Sequence, residues 1–256
     1  MKLDRLWVDA IQKRCSRRTY KAKEISIFDI ENMNSLIQKI NEESGLNFQF
    51  IKNGKDAFKG FKSSYGVLSG VNSFIALVGG KDIDNLDEKI GYYGEMVVLE
   101  ATSMGLGTCW VGGTYNKSEC INYIDIGENE DLRCIITIGY TEKEKSVKEK
   151  FICKLNKSKK DYKDMLINYN TYTPDVIKQG IYFALKAPSA LNKKPVGYEY
   201  KNNVVKVYNT KENHGYEKID LGISMLHFEL GVYSRGYKGK WLLNNGINEF
   251  KIDKQI

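Results

Sequence analysis

Residues 85–113 read NLDEKIGYYGEMVVLEATSMGLGTCWVGG, from Asn85 to Gly113, and the fold turns on them. From Asn85 to Gly105 the residues Ile90, Tyr93, Val97, Ala101 and Met104 recur at helical spacing, while Met96, Val98 and Leu99 spread the apolar surface nearly all round. A helix without a polar face belongs at the centre of a structure. It runs into a strand over Gly107 to Val111, bracketed by Gly105, Gly107, Gly112 and Gly113. Glycines at that density mark tight turns, or a backbone that something must approach closely.

Outward from this segment, helices and strands alternate without a parallel β-α-β rhythm. Asp4 to Arg14 is a short helix with Leu3, Trp7, Ala10 and Ile11 on one side, and Ile25 to Glu43 a longer one with Ser26 as its cap. Asn47 to Lys52, Phe74 to Val78 and Cys134 to Gly139 read as strands, and Thr141 to Lys160, rich in Lys and Glu, reads as a connection. Then the pattern restarts. Asp175 to Leu185 is helical, Tyr198 to Tyr200 and Val204 to Tyr208 form a hairpin across Asn202-Asn203, and Glu217 to Tyr233 is a second nearly all-apolar helix. At an offset of 131 residues Gly91 falls on Gly222, Gly105 on Gly236, Trp110 on Trp241 and Gly66 on Gly197. The expected architecture is α+β, with two related halves, 1–150 and 161–256, packed through their long helices about a pseudo-twofold axis, the single-chain counterpart of a symmetric dimer.

Composition narrows what such a chain serves. With 256 residues, 42% of them hydrophobic, it can bury a substantial core. The net charge of +7 comes from Lys interleaved with Glu and Asp, and no aromatic-rich basic run reads as a nucleic-acid module. Cys15, Cys109, Cys120, Cys134 and Cys153 are odd in number and form no C-x-x-C pair, which points away from a disulfide framework or a zinc cluster and towards a reducing compartment. The start of the chain lacks the apolar core of a signal peptide, and no stretch approaches a membrane span, so a cytoplasmic location is expected. His214 and His227 have no carboxylate or Cys at ligand spacing in the sequence, so neither a metal nor a histidine-based triad is expected, and His227 reads as a core residue.

Two further segments carry chemistry. Arg14-Cys15-Ser16-Arg17-Arg18-Thr19-Tyr20 follows a helix and aims Arg14, Ser16 and Arg18 outward, a donor set suited to an anion, though such a run also serves as a solvated basic patch. Ala187-Pro188-Ser189-Ala190-Leu191-Asn192-Lys193-Lys194-Pro195 is a proline-stiffened loop whose Ser and Asn can reach a planar heterocycle, or simply a helix terminator.

Together with the glycine-bracketed strand, these segments resemble the nitroreductase-like family of flavin oxidoreductases, in its single-chain, two-half branch. The resemblance covers almost the whole chain and implies one FMN in the seam between halves. Arg14, Cys15, Ser16 and Arg18 would serve its phosphate and pyrimidine edge, Trp110, Val111, Gly112 and Gly113 would line the ring, and Pro188, Ser189, Ala190 and Asn192 would come from the opposite half. It also implies hydride transfer from NADH or NADPH through the flavin to a nitroaromatic, quinone or similar acceptor, with no catalytic side chain, no metal, no nucleic acid and no membrane partner. The alternative is an FMN-binding storage or sensor protein without efficient turnover. Departures from the pattern bear on the site count. The first half has Phe61-Lys62-Ser63-Ser64-Tyr65-Gly66 where a Pro-Ser loop would stand, the second half lacks an Arg/Ser motif before Asp175, and Gly236 to Trp241 lacks the glycine pair. One FMN per chain is therefore expected, in a fused dimer that needs no second copy. Lys194 replaces a common Gln, and Lys148 or Lys150 would supply a further phosphate contact.

Overall fold

The computed structural model describes residues 2–58, 68–156, 158, 160–167 and 172–255. Gly66 and the Phe61 to Gly66 stretch lie outside the described residues. In the first half come α1 (Arg5–Lys13), α2 (Ile27–Ser44), β1 (Asn47–Ile51), β2 (Ser73–Gly80), α3 (Leu86–Ser103), β3 (Gly107–Val111), α4 (Lys117–Ile121) and β4 (Glu130–Gly139). After α5 (Val147–Leu155) follow α6 (Asp175–Ala184), β5 (Val196–Lys201), β6 (Val204–Asn209), α7 (Glu217–Tyr233), β7 (Tyr237–Asn244) and β8 (Ile247–Gln255). The strands make two antiparallel four-stranded sheets, ordered β1-β2-β4-β3 and β5-β6-β8-β7.

The sheets differ in how they are covered. In β2 the side chains of Ile75 and Leu77 enter the core shared with α2 and α3, while Phe74, Ala76 and Val78 enter a second apolar cluster with Tyr20, Ala57 and Cys120 on the other face. Both faces are dry, so β2 reads as a continuous apolar run. In β6 only Val205 and Val207 are buried, the alternation of a strand with one wet face.

α3 and α7 cross at glycines. A methyl group on Gly91 would run into the Ile219 carbonyl oxygen, and one on Gly222 into the Glu88 carbonyl oxygen. Both pairs are related by the same 131-residue offset, so the contact is reciprocal, as at an isologous interface. Only the absence of Cβ lets the two backbones approach so closely. The two glycines that follow these helices, Gly105 and Gly236, share the left-handed conformation at φ 79°, and the hairpin residues Asn202 and Asn203 are also left-handed, as a two-residue turn requires.

Three sequence expectations need correction. β4 begins at Glu130 rather than Cys134, pairing Gly80 and Gly79 with Glu130 and Asp131. The stretch Thr141 to Lys160 is not a plain connection, because Ser146 and Glu149 cap each other's backbone and start α5, which runs past residue 150 to Leu155. β7 and β8 form a hairpin over residues where only a glycine pattern had been read.

Candidate functional site

α1 starts at Asp4, whose carboxylate accepts from the Leu6 N–H, and ends where Arg14 turns to ψ 126°. The chain then runs extended beside β3, with Ser16 bridging Thr108 in parallel and the Arg17 N–H donating to the Thr108 carbonyl at 2.8 Å. Successive residues of an extended segment face opposite ways. Arg14, Ser16 and Arg18 line an open cleft of about 820 Å³, as does Cys15. Arg17 turns inward, its guanidinium donating to Glu149 Oε1 at 3.2 Å and to the carbonyls of Glu142 and Glu144. Glu149 also accepts from the backbone N–H groups of Arg18 (2.6 Å) and Thr19 (3.3 Å). Burial acts to raise its pKa, yet the Arg18 and Ser146 N–H groups and the Arg17 guanidinium hold it down to about 2. The motif is thus clamped by a helix that the sequence reading had missed.

A second wall comes from the end of β3. Trp110 lines the cleft and donates its indole N–H to Glu95 Oε2 at 2.8 Å. Val111, Gly112 and Gly113 follow it into the cleft. A Cβ on Gly112 would collide with the Tyr216 ring, so glycine there lets Tyr216, at the start of α7, close the same wall.

The third wall is the loop between α6 and β5, where Pro188, Ser189, Ala190 and Asn192 all line the cleft. Leu191, Asn192 and Lys194 hold left-handed φ values near 50°, a conformation that costs energy for residues with a Cβ. The surroundings enforce it. The Ala190 N–H donates to Asp220 Oδ1 (2.9 Å), Asn213 donates to both Asp220 Oδ2 and the Ala190 carbonyl, the Lys194 N–H donates to Ser189 Oγ (2.9 Å), and Asn192 Nδ2 donates to the Asn156 carbonyl (2.6 Å). Burial raises Asp220 to about 6 and lowers Lys194, beside Arg14, to about 7.

All twelve residues singled out from the sequence therefore face one cleft, drawn from segments almost 180 residues apart. Of the lysines after Tyr140, Lys145 lines it. Lys148 and Lys150 do not, and Lys150 pairs instead with Glu144 on the exposed surface at 3.3 Å. The sequence reading also missed Tyr216, Asp220, His214 and the α5 residues Ile152 and Cys153, which are among the other residues lining the cleft. The Ser146-x-x-Glu149 capping pattern followed by apolar Phe151, Ile152 and Leu155 was the signal that could have found α5. His227 is a fully buried core residue as read, but it does have a carboxylate neighbour, Glu95, 2.9 Å away and distant in sequence. Among the described residues no group of His, Cys, Asp or Glu could hold a metal ion, and no helix is long and apolar enough to cross a membrane.

The cleft fits a flavin mononucleotide by its donor set. Two guanidinium groups, a serine hydroxyl and Lys145 line it, and Arg14 Nε is buried without a hydrogen-bond partner among the described residues. An indole, a glycine pair and a proline loop line it as well, in a volume within the ordinary range for small-molecule sites.

A family model described as "Putative TM nitroreductase" matches residues 7–232. No curated protein sequence matches the chain. Among solved structures, a putative nitroreductase from Thermotoga maritima superposes with a TM-score of 0.62 at 18% identity, covering 96% of this chain and 92% of its own. A putative NADH dehydrogenase/NAD(P)H nitroreductase from Bacteroides thetaiotaomicron gives a TM-score of 0.49 at 22% identity over 66% of this chain and 100% of its own. An FMN-dependent nitroreductase from Clostridium difficile gives 0.47 at 18% identity over 64% and 98%.

Proposed function

The chain belongs to this nitroreductase family, and from that premise we propose that it is a flavin oxidoreductase with a single FMN site built jointly by residues 1–150 and 161–256. The observation that carries the reading is the meeting of the Arg14 motif, the Trp110 strand and the Pro188 loop in one cleft. Bound FMN would supply the redox chemistry, accepting a hydride from NADH or NADPH and passing it to a nitroaromatic, quinone or similar acceptor.

The protein's part is to hold and bias. Arg14, Ser16 and Arg18 offer charge-assisted donors to the phosphate and the pyrimidine edge, with Lys145 beside them. Fixed positive charge on that side favours whatever negative charge develops there on reduction. The Gly112-Gly113 backbone and Trp110 bound one face of the cleft, and the Pro188 to Asn192 loop meets it from the second half. No side chain is assigned as a general acid, because the open mouth admits solvent protons. A single chain already contains both walls, so the working unit is a monomer.

The test is flavin titration of the wild type, Arg14→Ala and Asn192→Leu. Loss of a charge-assisted contact is worth roughly 1.5–3 kcal/mol, so Arg14→Ala is expected to weaken FMN binding at least about tenfold with the fold retained. Asn192→Leu weakens it less, on the order of 1 kcal/mol, although it leaves the Arg motif untouched. Unchanged affinity in both variants overturns the shared site. Tight FMN without NAD(P)H-dependent reduction would turn the reading towards storage or sensing.

A further inference from the structure

Behind the cleft wall lies a buried group of charges that the proposed chemistry does not use. Glu95 on α3 and His227 on α7 are both 0% exposed, and their contact crosses the seam between the two halves, Nε2 to Oε1 at 2.9 Å. The other ring nitrogen, Nδ1, faces the Phe183 carbonyl oxygen at 3.2 Å. Both ring nitrogens thus face oxygen acceptors. A neutral imidazole carries one N–H, so satisfying both contacts needs one more proton, either on Nε2 or on the Glu95 carboxyl. Glu95 Oε2 already accepts the Trp110 indole N–H, which leaves Oε1 as the atom facing that proton. Arg14 Nε stands 3.8 Å from the same Oε1. Lys194, from the loop before β5, is the remaining titratable group acting on His227, and Asp220, about two turns upstream on α7, acts in turn on Lys194.

We propose that Glu95 and His227 share one buried proton across the seam, and that this proton keeps the Glu95 carboxylate from cancelling the charge Arg14 presents to the cleft. The two are positioning residues that act through Arg14 and Trp110. With the proton in place the pair is neutral overall, and Arg14 offers its full charge to an anion. With the imidazole gone, Glu95 stands alone beside Arg14 and becomes its counter-ion, in a buried setting where a unit charge acts strongly. Burial, Arg14 and Lys194 together lower the pKa of His227 against the pull of Glu95, so it is the pair of facing acceptors, not the imidazole's own basicity, that calls for the extra proton.

The test uses His227→Gln, Glu95→Gln and the double variant, in two arms. The first needs no ligand. If the pair shares a proton, His227→Gln strands a buried carboxyl, and the double variant, in which two amides can hydrogen-bond each other, is more thermally stable than His227→Gln alone. A pair that only packs gives additive losses, with the double variant the least stable, and that result overturns the proposal. The second arm rests on the reading of the cleft as an FMN site. At pH 8 the expected FMN affinity of His227→Gln is about tenfold weaker than wild type, and that of the double variant within about twofold of wild type. Equal weakening of single and double variants, or none in His227→Gln, overturns the coupling to Arg14. A wild type that bound no FMN would sink the functional reading instead, and the stability arm would still decide whether the proton is shared.

Discussion

The two halves run through the same order of elements, α2-β1-β2-α3-β3-β4 and α6-β5-β6-α7-β7-β8, into sheets of the same strand order, and differ in which connection is long. Between α2 and β1 stand only Gly45 and Leu46, whereas residues 185–195 link α6 to β5. Between β3 and β4 run residues 112–129, including α4, whereas β7 turns into β8 at Asn245 and Gly246. In each half a connection that is short in the other supplies one wall of the single cleft, the glycine pair from the first and the Pro188 loop from the second. The repeated framework holds the halves together, and the candidate site lies where the repeat is broken.

The comparison is broken most severely at the crossing itself. Gly222→Leu places a side chain where the Glu88 carbonyl sits, and Gly91→Leu does the same to Ile219. Backbone cannot yield there as a flexible side chain could, so each variant is expected to lose at least about 4 kcal/mol or to fail to fold. Because the contact is reciprocal, the two losses should be similar in urea denaturation. A large loss in one and almost none in the other would mean that the halves do not meet symmetrically.

A smaller effect separates the first half from its connector. Glu149→Ala leaves the buried Arg17 guanidinium with only the Glu142 and Glu144 carbonyls and no carboxylate, which is expected to cost on the order of 3 kcal/mol. The pH dependence has a definite sign. The folded-state pKa of Glu149, about 2, lies below its ordinary value of 4.5, so its contribution is present above about pH 4.5 and is lost as pH falls through about 2. Acid unfolding of the wild type should therefore be steeper in that window than that of the variant, and parallel curves would contradict the clamp. The smallest effect falls on the second half. Burial and Arg14 hold Lys194 at about 7, well below 10.5, so the unfolded chain binds the extra proton and wild-type stability rises between about pH 7 and pH 10. Lys194→Gln should flatten that slope and add on the order of 1 kcal/mol at neutral pH, and an unchanged slope would place the lysine's charge in solvent.

What the sequence shows and hides follows the same division. α7 was legible to the residue, Glu217 to Tyr233, because an all-apolar helix has no competing pattern. The three motifs were legible because Gly and Pro act on local backbone geometry and Arg carries a fixed charge with planar donors. α5 was hidden because Lys and Glu make up four of its nine residues, and because its anchoring residue, Glu149, is a charged side chain that becomes buried. β7 was hidden because it is exposed along most of its length, so alternation left a weak trace. Glu95 with His227 could not be read at all, since their contact is made by the crossing of two helices and by nothing near either residue in the chain.

The most direct measurement of the central claim is the flavin content of the purified chain. Released FMN, quantified against protein in the monomer, should come to one equivalent per polypeptide, because each half supplies walls that the other lacks. Two equivalents, or one equivalent held as tightly by an isolated fragment of residues 1–150, would contradict a site shared between the halves.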